Sequence, residues 1–219
     1  MARLFRPGPV KLDDCSRYGA DSELFVVEGD SAALAVSRVR DPLTQAVLPM
    51  QGKPLNALKA TEKRLAAQPL FTALTESLGA GCGTAFDLAK LRYARVLLLM
   101  DPDADGIHCG VLILMFFKRL MRPLLDGGHV EIVRPPWGEV VAADGSPPRH
   151  AISEAELLAV SDAVRAVGPA TARRYRGLAA IDSQVLLTTC VARATRRTQR
   201  ISTAQAAAMI AVFTTLDET

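Results

Sequence analysis

Two apolar runs in this chain each end on a carboxylate. Leu24 to Val27 lead into Glu28, and Val96 to Met100 lead into Asp101, the first residue of Asp101-Pro102-Asp103-Ala104-Asp105-Gly106. Runs this apolar read as strands buried on both faces, which confines the chain to an α/β fold with a parallel sheet. In open α/β sheets, sites form at the carboxyl ends of strands. Four carboxylates gathered there repel one another unless something positive lies between them. A hard divalent cation such as Mg²⁺ suits that place, because it prefers oxygen ligands. The combination points to phosphodiester chemistry on a nucleic acid.

In an extended segment side chains alternate faces, so Asp101, Asp103 and Asp105 would share one side and could hold one or two ions. The same Asp-x-Asp-x-Asp-Gly pattern opens an EF-hand calcium loop, with Gly106 at its sixth position. That loop needs a glutamate at position twelve, where this chain has Leu112, and an amphipathic helix before it, where this chain has an apolar strand. A solvated acidic turn between strand and helix is the plainer alternative. Glu28-Gly29-Asp30-Ser31 at the end of the other strand weighs against it.

Several ordered segments then share a resemblance. Glu28-Gly29-Asp30-Ser31-Ala32, Gln45-Ala46-Val47-Leu48-Pro49, Gly52-Lys53-Pro54-Leu55-Asn56, Leu91-Arg92-Tyr93 and Asp101 through His108 are similar, in order and spacing, to the Toprim domain of the B subunit of type IIA DNA topoisomerases (DNA gyrase and topoisomerase IV). Pro9 to Cys15 resembles the segment leading into that domain. Gly128-His129-Val130 and Arg134-Pro135-Pro136 resemble its last strand and exit. Arg174-Tyr175-Arg176-Gly177-Leu178 and Val212-Phe213-Thr214-Thr215-Leu216 resemble the C-terminal tail of the same protein. The resemblance implies Glu28 as catalytic acid/base and metal ligand, Asp101 and Asp103 as Mg²⁺ ligands (Mn²⁺ as substitute), and Asp105 completing the acidic motif. It implies Lys53 and Asn56 as a DNA-contacting pair. Their chemistry agrees: an ammonium neutralises phosphate and an amide donates to it.

The chain departs from that family at named positions. Ala33 and Leu34 stand where the family has two glycines, and Leu34 is expected to add bulk on a first helical turn facing the site. Gln51 replaces a basic residue, Pro54 lacks an N–H donor, Pro102 stiffens the acidic motif, and Ala179-Ala180-Ile181 replaces Gly-Glu-Met.

A net charge of +3 over 219 residues does not by itself indicate DNA. Its distribution says more, because Arg173 to Arg200 holds seven arginines and one acid, Asp182. Such clustering is a footprint for polyanions, although a solvated surface also produces it. Arg174 and Arg176 are the DNA-contact candidates there, and His108, in the first turn after the acidic motif, is another. His129, before a strand, reads as structural. No stretch reaches the roughly 18 apolar residues of a membrane span, and the N-terminus lacks an apolar signal core, so no membrane contact and a cytoplasmic location are expected. Cys15, Cys82, Cys109 and Cys190 form no Cys-x-x-Cys pair, which argues for reduced thiols and against zinc.

The expected organisation is an irregular lead-in (1–20), a Toprim domain (21–137), a linker around a short helix (138–170) and a small helical tail (171–219). Strands near 24–28, 45–49, 95–100 and 129–133 alternate with helices near 31–39, 56–66, 69–78 and 107–122. That alternation implies a Rossmann-like α/β parallel sheet with helices on both faces. Nothing resembles the ATPase domain that opens the family's larger polypeptide, so no ATP site is expected, and the partners to consider include a separate ATPase subunit. The family's strand-breaking tyrosine lies in its A-type partner. Three readings follow: a Toprim subunit supplying the metal half of a DNA-cleavage site to that partner, a non-catalytic paralogue binding DNA or a topoisomerase subunit, and a stand-alone Toprim metal nuclease.

Overall fold

The structure, a computed structural model, describes residues 11–216; residues 1–10 and 217–219, which hold part of the lead-in and the end of the tail, lie outside it. Strand β1 (Gly19–Glu28) passes directly into helix α1 (Gly29–Ser37). There follow β2 (Gln45–Met50), α2 (Glu62–Ala66), α3 (Pro69–Leu78), β3 (Tyr93–Leu99), α4 (Ala104–Leu120), α5 (Arg122–Asp126) and β4 (Val130–Val133). β1, β2, β3 and β4 form a parallel sheet in the order β2-β1-β3-β4. Alternate residues face opposite sides. Leu24, Val26, Val96 and Leu98 pack under α3, α4 and the C-terminal helix. Phe25, Val27, Leu97 and Leu99 pack under α1 and the tail. Both faces are covered, which is why these strands carry no polar alternation.

Several elements differ from the sequence reading. The 56–66 helix is a turn followed by α2, because the Asn56 side chain takes the amides of Leu58 and Lys59, and Thr61 caps a fresh start. Helix α4 begins three residues early, where Asp103 caps it by accepting from the Gly106 N–H. Pro123 does not end a helix but lies in the first turn of α5, where a missing N–H is tolerated.

Residues 138–170, read as a linker around one helix, instead contribute β5 (Gly138–Ala142), β6 (Arg149–Ala151) and α6 (Glu154–Arg165). With β7 (Ala170–Arg174) they make a three-stranded antiparallel sheet in the order β6-β5-β7. These strands are three to five residues long, too short for a period-2 pattern to stand out. Beyond them come α7 (Ser183–Leu186), a π turn at Leu187–Val191, β8 (Thr198–Arg200) and α8 (Thr203–Leu216). The tail is therefore not only helical: β8 pairs antiparallel with β4 and covers the edge it would leave open. Among the described residues, no helix is long and apolar enough to cross a membrane.

The tail is fastened beneath the sheet by one carboxylate. Glu23 in β1 has 1% of its side chain exposed, and Arg196, 3% exposed, meets both its oxygens at 2.6 and 2.8 Å. Arg193 (3.1 Å), the Gln45 amide (2.8 Å) and Arg95 (3.6 Å) surround it further. Burial alone pushes the Glu23 carboxyl up; the hydrogen bonds of Arg196 and Gln45 and the charges of Arg196 and Arg193 outweigh it and hold the group below the usual carboxylate range. A lowered carboxyl contributes stability that is complete above the ordinary glutamate value of about 4.3 and is lost as pH falls through the lowered one. Urea unfolding should show that acid limb, and Glu23→Gln should flatten it. Arg196→Ala leaves a buried carboxylate underpaired and should cost about 3–5 kcal/mol at pH 7.

Candidate metal and nucleic-acid site

Val27 of β1 pairs with Leu99 of β3, so Glu28 and Asp101 leave neighbouring strand ends on the same edge of the sheet. Glu28 is the residue at which β1 becomes α1, yet its carboxylate does not cap the helix. Its Oε2 is buried without a hydrogen-bond partner. Burial, followed by the charges of Asp101, Asp103 and Asp105, pushes the Glu28 carboxyl up, and Lys53 only partly offsets this. Asp101 is likewise raised, first by burial, with Asp103 adding to it, although the Leu178 amide pulls the other way. Beneath them the Cys109 thiol is buried and pushed up to about 11, by burial and then by the charge of Glu28.

The acidic run is not an extended strand. Asp103 has extended backbone, but the chain turns helical at Ala104, so Asp105 lies in the first turn of α4. A side chain cannot replace hydrogen at Gly106, where an added Cβ would lie 2.1 Å from the Asp101 carbonyl oxygen. Gly106 thus serves the packing of α4 against Asp101, not a calcium loop. Asp105, 79% exposed, ion-pairs with Lys53 Nζ at 3.2 Å. Glu28 thus feels the charges of Asp101, Asp103, Asp105 and Lys53 together. Among the described residues, no three His, Cys, Asp or Glu side chains stand close enough to hold an ion as they are. The donors are nonetheless all hard oxygens, and the unpartnered Glu28 Oε2 beside Asp101 fits a Mg²⁺ or Mn²⁺ ion.

The other DNA-contact candidates are dispersed. Asn56 spends its side-chain oxygen on the Leu58 and Lys59 amides, which shapes the turn that follows it. His108 is half-buried, with its ring 4.2 Å from that of Phe213 in α8. The Arg174 guanidinium lies over the Trp137 ring, 3.8 Å from its centroid. Arg176 is exposed beside Gly177. The arginine-rich stretch does not present one basic face: Arg173 pairs with buried Glu139, Arg193 and Arg196 with Glu23, and Arg200 with Glu131. Leu34, expected to crowd the site, is 55% exposed.

Sequence reasoning missed one site group. Asp101 Oδ1 accepts from the backbone N–H of Leu178 at 2.9 Å, across 77 positions of chain. The only local signal was Gly177, a glycine within an Arg-Tyr-Arg-Gly-Leu segment.

A cradle of carboxylates at the ends of adjacent parallel strands, with a helix starting from the acidic run, defines the class. The chain belongs to the Toprim domain family, which it matches over residues 23–135. It is similar to the DNA gyrase B protein of Archaeoglobus fulgidus, at 38% identity over 81% of this chain and 28% of that protein. The gyrase B protein of Halalkalibacterium halodurans is 40% identical over 78% of this chain and 26% of that protein. That of Haloferax volcanii is 37% identical over 95% of this chain and 32% of that protein. The chain thus spans about a third or less of the length of these relatives.

Glu28, raised, contributes stability that is complete below the ordinary glutamate value and is lost as pH rises through the raised one. In metal-free buffer at pH 7, Glu28→Gln should therefore raise the thermal midpoint by on the order of a few degrees. A lower midpoint in scanning calorimetry would mean that a partner holds the carboxylate.

Proposed function

We propose that this chain supplies the cation-binding half of a type IIA topoisomerase cleavage site, gyrase B-like, to a tyrosine-bearing partner. The observation that carries this reading is the pair Glu28 and Asp101 on neighbouring strand ends, both raised, with Glu28 Oε2 buried and unpartnered. Glu28, Asp101 and Asp103 would hold Mg²⁺ or Mn²⁺, with Asp105 beside them. Bound there, the ion supplies electrostatic stabilisation of the phosphate and the leaving oxygen. Glu28, at the end of β1 beside Asp101, would be the group placed to take or give the proton of a sugar hydroxyl. Lys53 can exchange Asp105 for a phosphate, and Arg176 is exposed to meet the duplex. Asn56 orders the turn that follows it, and His108 and Arg174 are the outlying contacts.

The chain's own tyrosines support a nucleophile supplied in trans. Tyr93 is buried and donates to Asp14. Tyr18 also donates to Asp14, under the guanidinium of Arg92. Tyr175 is buried and donates to Glu139. The partners of this reading are accordingly double-stranded DNA and a tyrosine-bearing A-type topoisomerase chain, with the cytoplasm as its location.

Denaturant trapping of covalent adducts on duplex DNA tests it. Adducts should form only on the partner, only with both chains and metal, and not with Asp101→Ala. An adduct on this chain, abolished by mutating one of its tyrosines, would overturn the reading. Metal-dependent cutting by this chain alone would move it to a stand-alone nuclease, and Mn²⁺ binding equal to that of Asp101→Ala to a non-catalytic paralogue.

Duplex binding should weaken with salt, and Lys53→Ala should reduce the slope of log affinity against log salt by about one unit. An unchanged slope would remove Lys53 from the interface.

A further inference from the structure

The contact between Asp101 and the tail is built from both sides. Leu178 N–H donates to Oδ1 at 2.9 Å, and a Cβ on Gly177 would lie 2.9 Å from Oδ2. Gly177 also has φ +126°, a conformation that favours glycine. Only a glycine can therefore bring the following amide this close to the carboxylate. The segment around it is firmly placed. Arg174 stacks on Trp137, the Tyr175 amide donates to Trp137 O at 3.0 Å, and the Tyr175 hydroxyl donates to buried Glu139. Leu178 and Ile181 are buried with Ala32 and Val36 of α1.

We propose that Leu178, through its backbone N–H, is a positioning residue for Asp101. It commits Oδ1 to the backbone and, with Gly177 close against Oδ2, fixes the plane of the carboxylate that would ligate a cation. This rests on the cation-site reading above. Carboxylates that ligate metals are themselves hydrogen-bonded, and loss of such a partner typically weakens metal binding about 10–100-fold. The three-stranded sheet, through β7, thereby holds one ligand of a site that lies on the other sheet.

The test separates the N–H from the side chain. Leu178 opens a 3₁₀ turn (Leu178–Ala180), and Gly177 has ψ 168°, so proline fits the backbone at 178. Leu178→Ala and Leu178→Pro both delete the buried side chain, and only the second deletes the donor. Calorimetric titration of the metal-free chain with Mn²⁺, without DNA, should show Leu178→Pro weaker than Leu178→Ala by about tenfold. Equal affinities in the two variants, with native binding intact, would overturn the positioning role alone. Native affinity no better than that of Asp101→Ala would overturn the cation-site reading, and this inference with it. Should Leu178→Pro fail to fold, amide hydrogen exchange decides. Leu178 protection should fall at least tenfold in Asp101→Ala and persist in Asp101→Asn, which keeps an acceptor while losing metal affinity. Protection unchanged in Asp101→Ala would overturn the proposal.

Discussion

Glu23 sits midway along the central strand with its carboxylate buried, and two of its partners come from the tail. Arg196 grips both oxygens, Arg193 approaches one, and the neighbouring Gln45 both donates to Glu23 and reaches the Val191 carbonyl. A buried carboxylate left unpaired costs several kcal/mol, so the chain between β7 and β8 has one low-energy place to lie. That place puts α7 and the π turn against the face opposite α4, and lets β8 close the edge of β4. It also returns Leu178 to Asp101 at the far end of the sheet. The same tail thus meets a carboxylate in the middle of β1 and another at the carboxyl end of β3.

The carboxylates divide into two electrical groups. Buried Glu23 and half-buried Asp14 are held low, because hydrogen bonds and arginine charge outweigh their desolvation. Glu28 and Asp101 are raised, because their burial meets further carboxylates, which Lys53 offsets only in part. The first pattern belongs to structural ion pairs. The second is unfavourable for the metal-free fold and is characteristic of sites assembled for a ligand.

The arginines of the tail carry a related lesson. Read along the sequence, Arg173 to Arg200 is a basic stretch with a single acid of its own. In the folded chain Arg173, Arg193, Arg196 and Arg200 answer Glu139, Glu23 and Glu131, each far away in sequence and each buried. Local charge counting cannot see a distant carboxylate. It therefore overstated the polyanion-binding surface, although Arg176 and Lys53 are exposed.

The sequence by itself determined the parallel sheet and the place of the acidic residues at its edge. Apolar runs report burial on both faces directly, and Glu28 and Asp101 follow them without intervening residues. Whatever depended on contacts between distant segments was decided by tertiary structure. The second sheet was hidden in strands too short to show a period, and β8 gained its identity only by pairing with β4. The roles of Asp103 as a helix cap and Asp105 as the partner of Lys53 came from where the chain turns, not from its alternation. The hold of Leu178 on Asp101 joins residues 77 positions apart through a backbone N–H, a group every residue but proline carries, so no side-chain pattern could announce it.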